Sequence, residues 1–516
     1  VLFCAYILGH RLLSSLNLEQ GAQKIYFYVS TGLGAIIYAL FFLMLFKWFH
    51  RSTVAVLAVL LLSVSLVGGY SKIILKEVMD HFRASWSVFK SQWFWQIPVF
   101  LFLGYILLLP LYPPVHHDEL TYHLPYAKYY VENHGLAVNP YLRYAVHAHN
   151  FQILYSLALL LYDDVLKHLF HAVGALLTLV GIYCLGKDSA DPATGMLASV
   201  AFCTSSLIMY LISSAYIDLG LMLYIFLGFF SIYCWSKTSN DRWIYLAGFA
   251  CGLAIGTKYA GLIYVPLFGL WILFEQRRIL PFLKFLLPLI IFGSPWYIRS
   301  YLITGDPFFP GGGRLFGHSW YWSAQDTAGQ LYDMLEAHGT PRTLKSFLLL
   351  PYNFAARPEL FKEGSLSYLM LPAFLSPLFF KGFSRFYKFL TVFVFVTIVL
   401  WFVSTQIIRY LVPIFPLIAI LSARTLMAVF SRLKSALKPL SGITNERLFG
   451  TKHVMMVAGK TTMLLVLSLV VLSGKSERYL STYPSNKLNT YPTTHIRQNQ
   501  NPANKEERES QSLIHI

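Results

Sequence analysis

Apolar runs of the length a bilayer demands recur from one end of this chain to the other, and that pattern removes most folds from consideration. A helix needs roughly 17 to 25 apolar residues to cross hydrocarbon. Lipid offers open backbone no hydrogen-bond partner, so helix is the default for each run. The expected spans are 25–47, 54–70, 95–112, 165–186, 195–213, 216–235, 243–258, 259–274, 282–298, 366–380, 389–404, 408–423 and 460–473. The stretch FQILYSLALLLY, 151–162, is too short to cross and is expected as a re-entrant or interfacial helix. The fold class is therefore all-α, a polytopic integral membrane protein of about 12 to 14 transmembrane helices. Composition agrees: 13% of the 516 residues are charged, against roughly 25% in soluble domains.

The formal charge of +17 is spread in short basic clusters between apolar runs, with no long basic stripe. That distribution fits juxtamembrane Lys and Arg, which mark the cytoplasmic side and favour anionic lipid, and argues against nucleic acid as a partner. With the loop 113–150 placed outside, alternation puts Lys187, Lys237 with Arg242, Arg277 with Arg278, Lys381 with Arg385 and Lys388, and Arg424 through Lys438 inside. Lys47 and Arg51 fall outside and fit this rule less well. Cys4, Cys184, Cys203, Cys234 and Cys251 lie in or beside apolar runs without CxxC spacing. They read as core residues, not as disulfides or zinc ligands.

This topology gathers Asp118, Glu119, Asp163, Asp164, Asp218, Lys258, Arg299 and Arg409 outside or at the outer ends of spans. Two long segments, 113–150 and 299–365 with its GDPFFPGGGR turn signals, also lie outside. The densest polar stretch is HHDELTYHLPYAKYY, 116–130. Read as helix, it puts Glu119 and His123 on one face with Asp118 one step round, and Pro125 would kink or restart it. Two carboxylates and a His at this spacing can hold a divalent cation or supply a base flanked by tuning groups. A loop at a membrane surface is also polar for no further reason. HHDEL is not HExxH and HxxEH is absent, which weighs against a zinc hydrolase.

Asp218, in SSAYIDLGLMLYIFLG, stands at the mouth of a span otherwise free of charge, where an ionisable group is either functional or a helix-start cap. Lys258, in GLAIGTKYAGLIYVPL, interrupts a long apolar run and either meets an anion or snorkels to the interface. The spacing of Gly252, Gly256 and Lys258 is wrong for a Walker A loop. Arg299, in GSPWYIRSYLITGDPFFP, and Arg409, in STQIIRYLVPIFPL, fall at outer boundaries. Arginine there is an interfacial anchor or a planar fork for a phosphate diester. Taken together, carboxylates on the first outer loop and cations on later helix ends form the inventory needed to bind a lipid-linked phosphosugar and activate an acceptor.

Five passages in order, HHDELTYHLPYAKYY, SSAYIDLGLMLYIF, AGFACGLAIGTKYAGLIYVP, GSPWYIRSYLITGDPFFP and RYLVPIFPLIA, carry a resemblance across residues 95–425. The chain resembles the GT-C superfamily of polytopic glycosyltransferases, in the family 39-like group of protein O-mannosyltransferases, aminoarabinose lipid A transferases and rhizobial lipopolysaccharide galacturonosyltransferases. The resemblance implies a helical core in the plasma (inner) membrane with its active site facing the periplasm or exterior. It also implies a polyprenyl-phosphate sugar donor, a lipid, glycan or protein acceptor, inversion at the anomeric carbon and, in some members, a divalent metal cation. By position it implies Asp118 as general base, with Glu119 beside it as a metal or acceptor contact and Asp218 as the second acidic residue. Lys258, Arg299 and Arg409 would bind the donor phosphate. Glu119, His123 and His117 are the metal candidates, with His116 left open. The layout expected is membrane helices over 1–94, a catalytic core over 95–425, a cytoplasmic segment and last span over 426–474, and a polar mobile tail over 475–516.

One displacement at the anomeric carbon needs a base and a good leaving group but no protein nucleophile, unlike the paired carboxylates of glycoside hydrolases. A polyprenyl phosphate is such a leaving group. The alternative reading is a lipid-linked glycan flippase or other polytopic transporter. Such a protein concentrates charge in midplane cavities, often with repeated halves, whereas here the carboxylates cluster in an outer loop and no clear repeat appears. A non-catalytic scaffold is the third class, and it would tolerate neutralisation of Asp118.

Overall fold

The computed structural model describes residues 1–16, 18, 21–66, 79, 99–162, 165–317 and 322–437, all within one compact unit, Val1–His453. The expected span 460–473, the tail 475–516, Lys438, Asp163 and Asp164 lie outside these residues, as do the ends of the expected spans 54–70 and 95–112.

Among the described residues every regular element is helical. Helices α1 (Leu2–Leu13), α2 (Ala22–Leu45), α3 (Arg51–Leu66) and α4 (Val99–Leu111) come first. A π-helical turn (Glu119–His123) then leads into α5 (Leu124–Glu132) and α6 (Asn150–Leu161). The central helices are α7 (Val165–Ser189), α8 (Pro192–Cys203), α9 (Ser206–Ile212), α10 (Asp218–Thr238), α11 (Arg242–Ile255), α12 (Tyr264–Gln276) and α13 (Ile279–Thr304). Short helices α14 (Gly313–Phe316), α15 (Ala324–Leu335), α16 (Leu344–Leu348) and α17 (Leu350–Ala356) occupy the second long segment. Two 3-10 helices (Tyr368–Gly382 and Ile408–Ile414) flank α18 (Arg385–Val403), and α19 (Phe415–Leu437) closes the described chain.

The all-α membrane architecture is the one expected, and among the described residues seven helices, or eight if a bent pair is one span, are long and apolar enough to cross. Seven qualify by length and composition: α2, α7, α10, α12 with its leading 3-10 turn, α13, α18 and the run Ile408–Leu433. The pair α8 and α9, bent by 66°, supplies an eighth if it is one span. Two other expected spans, 243–258 and 366–380, fall on the helix α11 and on a 3-10 helix. Helix α11 packs against α2, α10 and α13 and is buried along almost its whole length; its 14 residues cover about 21 Å. The expected span 366–380 appears as the 3-10 helix Tyr368–Gly382, with Pro372 and Pro377 inside it. Each proline removes an i→i−4 donor. The tighter winding also lengthens the segment: fifteen residues at a rise of ~2.0 Å cover about 30 Å, close to the hydrocarbon thickness.

Helix α10 is the axis of the bundle. Its most apolar stretch is 94% buried, against 33% for α13, and it meets α7, α9, α11, α12 and the 3-10 helix Ile408–Ile414. Crowding at its first turn is possible only because Gly174 and Gly220 carry no side chain. A Cβ on Gly174 would stand 2.8 Å from the Leu219 carbonyl oxygen, and one on Gly220 would stand 1.9 Å from the Phe151 ring. The amino-terminal helices are built into this bundle, since α2 packs against α6, α7, α10 and α11 and carries α1 on its flank. The α1–α2 contact is backbone to backbone, for a Cβ on Gly32 would fall 1.8 Å from the Ala5 carbonyl oxygen.

Gly32→Leu is therefore expected to prise α1 from α2 at a cost of about 1–3 kcal/mol, read as a lower melting temperature of the detergent-purified chain. An unchanged melting temperature would mean that α1 does not pack there in solution.

Candidate active site

Five charged side chains from five separate parts of the chain meet at one end of the bundle. Arg409 is the hub, with only 11% of its side chain exposed. Its Nη2 donates to Asp118 Oδ2 at 2.8 Å, and its Nε lies 3.4 Å from Glu363 Oε2 and 3.9 Å from Asp218 Oδ2. Lys258 Nζ donates to Asp218 Oδ1 at 2.8 Å. Both cations also face aromatic rings: Lys258 lies 4.5 Å from the Tyr410 centroid and Arg409 4.7 Å from that of Tyr216. Such contacts hold a cation without neutralising it.

Local structure explains each placement. The passage HHDELTYH does not run as plain α-helix. It winds as a π-turn, in which Leu124 N–H bonds the Glu119 carbonyl five residues back, and Pro125 then sits in the first turn of α5. The adjacent carboxylates, one step apart round the helix, reach different destinations. Asp118 reaches Arg409, while Glu119 turns into the protein. Its Oε1 accepts from the backbone N–H groups of Val115 (2.6 Å) and His116 (2.9 Å), and its Oε2 from Ala215 N–H (2.6 Å) and His168 Nε2 (3.0 Å). Glu119 thus ties the first outer loop to the approach of α10. Asp218 opens α10, where the helix dipole favours a carboxylate, and Leu219 N–H donates to His171 Nε2 at 3.0 Å. Lys258 follows a turn fixed by Asn150, which accepts from Trp296 Nε1 (2.8 Å), donates to the Leu253 carbonyl (3.1 Å), and through its backbone N–H bonds the Gly256 carbonyl (3.0 Å).

Glu363 arrives by a different route. The break between α8 and α9 exposes three hydroxyls that pin the loop after residue 361. Thr204 meets Ser367 (2.7 Å), Ser205 donates to the Ser365 carbonyl (3.0 Å), and Ser206 meets Ser365 (2.8 Å). Gly364 has φ +71°, and a Cβ there would lie 2.8 Å from Leu207 Cα, so only glycine lets this loop close on α9.

Electrostatics separates the two acidic neighbours further. Burial pushes the Asp118 carboxyl up, but the Arg409 guanidinium and the Tyr122 hydroxyl outweigh it and hold the group well below the usual carboxylate range. Burial likewise opposes ionisation of Glu119, yet its hydrogen bonds to His168 and to the backbone bring it down to about 2. Burial lowers His123 to about 3, so the ring is neutral, with Nδ1 accepting from Gln152 Nε2 at 2.9 Å. Glu363 moves the other way, because burial raises its carboxyl more than Arg409 lowers it.

Of the residues singled out from sequence, Asp118, Asp218, Lys258 and Arg409 come together. Glu119 does not, since both its oxygens are already occupied. Arg299 is also elsewhere: it donates to the Leu136 carbonyl at 3.2 Å and lies 5.9 Å from the Trp296 ring. The metal candidates do not converge. Glu119 faces His168, His123 is engaged by Gln152, and His117 is 79% exposed with Nδ1 3.5 Å from Asp118 Oδ1. Among the described residues no three His, Cys, Asp or Glu side chains group as metal ligands. The trio Glu119, His123 and His117 is not arranged to hold a metal. Glu363 was missed because nothing in KEGSLS marks it apart from an ordinary loop carboxylate. The only signal was the serine run SSLIMY at the break facing it.

The chemical capacity of the centre lies in what Arg409 leaves unused. Its Nε and Nη1 are buried and make no hydrogen bond among the described residues. Nε already faces the Glu363 carboxylate at 3.4 Å, which leaves the two N–H groups of Nη1, in a centre that also holds the Lys258 ammonium, to receive an oxyanion.

Fold and site together define a polytopic helical membrane protein with a buried, charge-paired centre at one end of its bundle. Residues 1–416 match the family described as a domain of unknown function, DUF8201, and the chain belongs to that family. Uncharacterized protein SF2092/S2214 of Shigella flexneri is 32% identical over 174 residues, which is 34% of this chain and 83% of that protein. Uncharacterized protein SF2093/S2215 of the same organism is 30% identical over 144 residues, 27% of this chain and 72% of that one. Among solved structures, the chain is similar to ArnT from Cupriavidus metallidurans bound to undecaprenyl phosphate (TM-score 0.46, 13% identity, 74% of this chain and 73% of that). It is also similar to the apo oligosaccharyltransferase of Archaeoglobus fulgidus (TM-score 0.44, 14% identity, 73% and 56%).

Two outcomes test this assignment of roles. Glu119→Ala strands His168 and three backbone donors and is expected to cost about 3–5 kcal/mol, seen as a large fall in melting temperature. Acid should also loosen the fold. His123 and Glu119 bind fewer protons folded than unfolded, so their contributions are present above pH 6.5 and 4.5 and are lost as pH falls toward about 3 and about 2 respectively. Melting temperature should drop across that window, and a flat profile would contradict the burial of both groups.

Proposed function

We propose that this protein is a GT-C-like membrane glycosyltransferase that moves a sugar from a polyprenyl-phosphate donor to a lipid, glycan or protein acceptor on the extracytoplasmic face. The observation that carries the reading is the buried Arg409 guanidinium, paired with Asp118 and joined to Lys258 through Asp218, whose Nη1 N–H donors make no hydrogen bond among the described residues. A phosphodiester oxyanion satisfies those donors and a hydroxyl acceptor has a carboxylate within the same centre. The ordered motif resemblance across residues 95–425 supports the same class.

In this mechanism the donor phosphate engages Arg409 and Lys258 and competes with Asp118 for the guanidinium. Asp118, released from its ion pair, regains basicity and takes the proton of the acceptor hydroxyl or amine as that atom attacks the anomeric carbon. The bond from that carbon to the phosphate oxygen breaks, and the oxygen leaves with the electron pair, stabilised by the two cations. The attack opposite the leaving group inverts the anomeric centre. Asp218 keeps Lys258 in place, and Glu363, the most easily protonated carboxyl of the set, limits the negative charge that the arriving phosphate meets.

The test offers membranes containing wild type, Asp118→Asn or Arg409→Gln, at matched expression, a panel of labelled polyprenyl-phosphate sugars with native acceptors. Wild type should consume one donor. Asp118→Asn should lower turnover by roughly 10²–10⁴-fold, the usual worth of a general base, with donor binding kept, while Arg409→Gln should weaken donor binding as well. Equal turnover by wild type and Asp118→Asn would remove Asp118 as base. Failure of wild type to turn over any donor, with labelled lipid moved across the bilayer instead, would favour the flippase.

A further inference from the structure

At the opposite end of the α12–α13 hairpin, we propose, lies a binding site for an anionic glycerophospholipid. Helix α12 starts beside Lys258 and its thirteen residues carry the chain about 20 Å away from the charge centre, ending at Arg277. There the chain turns sharply. Arg277 is left-handed (φ +53°) and Arg278 is extended, so α13 begins at once and the two helices diverge. Between them opens a crevice of about 520 Å³, lined by Leu270, Leu273, Phe274 and Ile279 with Arg277 and Arg278. That volume is within the usual range of small-molecule sites, roughly 300–1,000 Å³.

Three observations select the occupant. The crevice belongs to the two candidate spans least covered by protein, each 33% buried, and Leu270, Phe274 and Ile279 are 49%, 72% and 59% exposed, so its walls face lipid. Three nearby cations are matched by carboxylates: Lys237 with Asp188 (2.8 Å), Arg385 with Glu275 (3.3 Å), and Lys284 with Asp241. Among the described residues Arg277 and Arg278 have no acidic partner, although both are exposed beside the apolar walls. Two unmatched guanidiniums above a hydrocarbon-lined cleft complement a phosphate headgroup whose acyl chains lie along α12 and α13. Cationic pairing needs the phosphate, and the walls need the chains, so a lipid fits both parts where free phosphate fits one.

Native mass spectrometry of the full chain in detergent, titrated with dioleoylphosphatidylglycerol or dioleoylphosphatidylcholine, tests this. Wild type should retain phosphatidylglycerol preferentially, and Arg277→Gln with Arg278→Gln should lose that preference by roughly thirtyfold, the product of about fivefold per cation. Lys237→Gln should leave it unchanged. Leu270→Gln with Phe274→Gln should weaken phosphatidylglycerol too, and millimolar inorganic phosphate should not displace it. Melting without lipid shows whether each variant is folded, and a rise in melting temperature with phosphatidylglycerol in wild type alone gives a second reading. Equal retention of both lipids by wild type, persistence of the preference in the double arginine variant, or displacement by free phosphate would overturn the proposal.

Discussion

A guanidinium cannot be left alone in the interior of a membrane protein, and the buried Arg409 organises the site because it needs neutralising. Three carboxylates from distant segments converge on it, at 2.8, 3.4 and 3.9 Å. Removing one partner from such an arrangement typically costs several kcal/mol, because the charge that remains stays buried. The requirement reaches outward from there. Asp218 is held where Arg409 and Lys258 can both use it, which demands the glycine-lined crowding at the start of α10. Asp118 is delivered by a π-turn, and Glu363 by a loop fastened with hydroxyls to a broken helix. Helical irregularities of this kind are expensive in isolation, and they often occur at functional sites.

Much of the architecture was legible because apolar runs and basic clusters obey constraints that the bilayer imposes one segment at a time. The seven crossing helices all fall on expected spans. Helix length was less legible: the apolar run 243–258 holds the 14-residue helix α11, and hydropathy does not show where that helix ends. Nor does it reveal that Pro372 and Pro377 convert an expected α-helical span into a longer, thinner 3-10 helix.

At the site, the residues that came together were those with a reason to be unusual in their own neighbourhood: Asp218 in a charge-free span, Lys258 interrupting an apolar run, Arg409 at a helix mouth, Asp118 in a His-rich loop. Glu119 and Arg299 looked equally unusual, but their surroundings satisfy them in other ways. Asp118 and Glu119 stand one step apart round the helix, and periodicity alone does not say which of the two meets Arg409 and which meets His168. Glu363 could not be found from sequence because its importance comes wholly from what touches it.

The residues of the centre are spread along the chain in an order that matters for its making. Asp118 and Arg409 are 291 positions apart, and the guanidinium belongs to the last of the five segments to leave the ribosome. Until that segment arrives, Lys258 is the only cation of the centre set against three carboxylates, an imbalance that no partly inserted bundle can seal away from water. The ion-pair network therefore acts as a seal on assembly: its closure coincides with the point at which the ring of helices around α10 is complete, so a chain stalled or cut short before Arg409 keeps an open, hydrated mouth where the finished protein has a site.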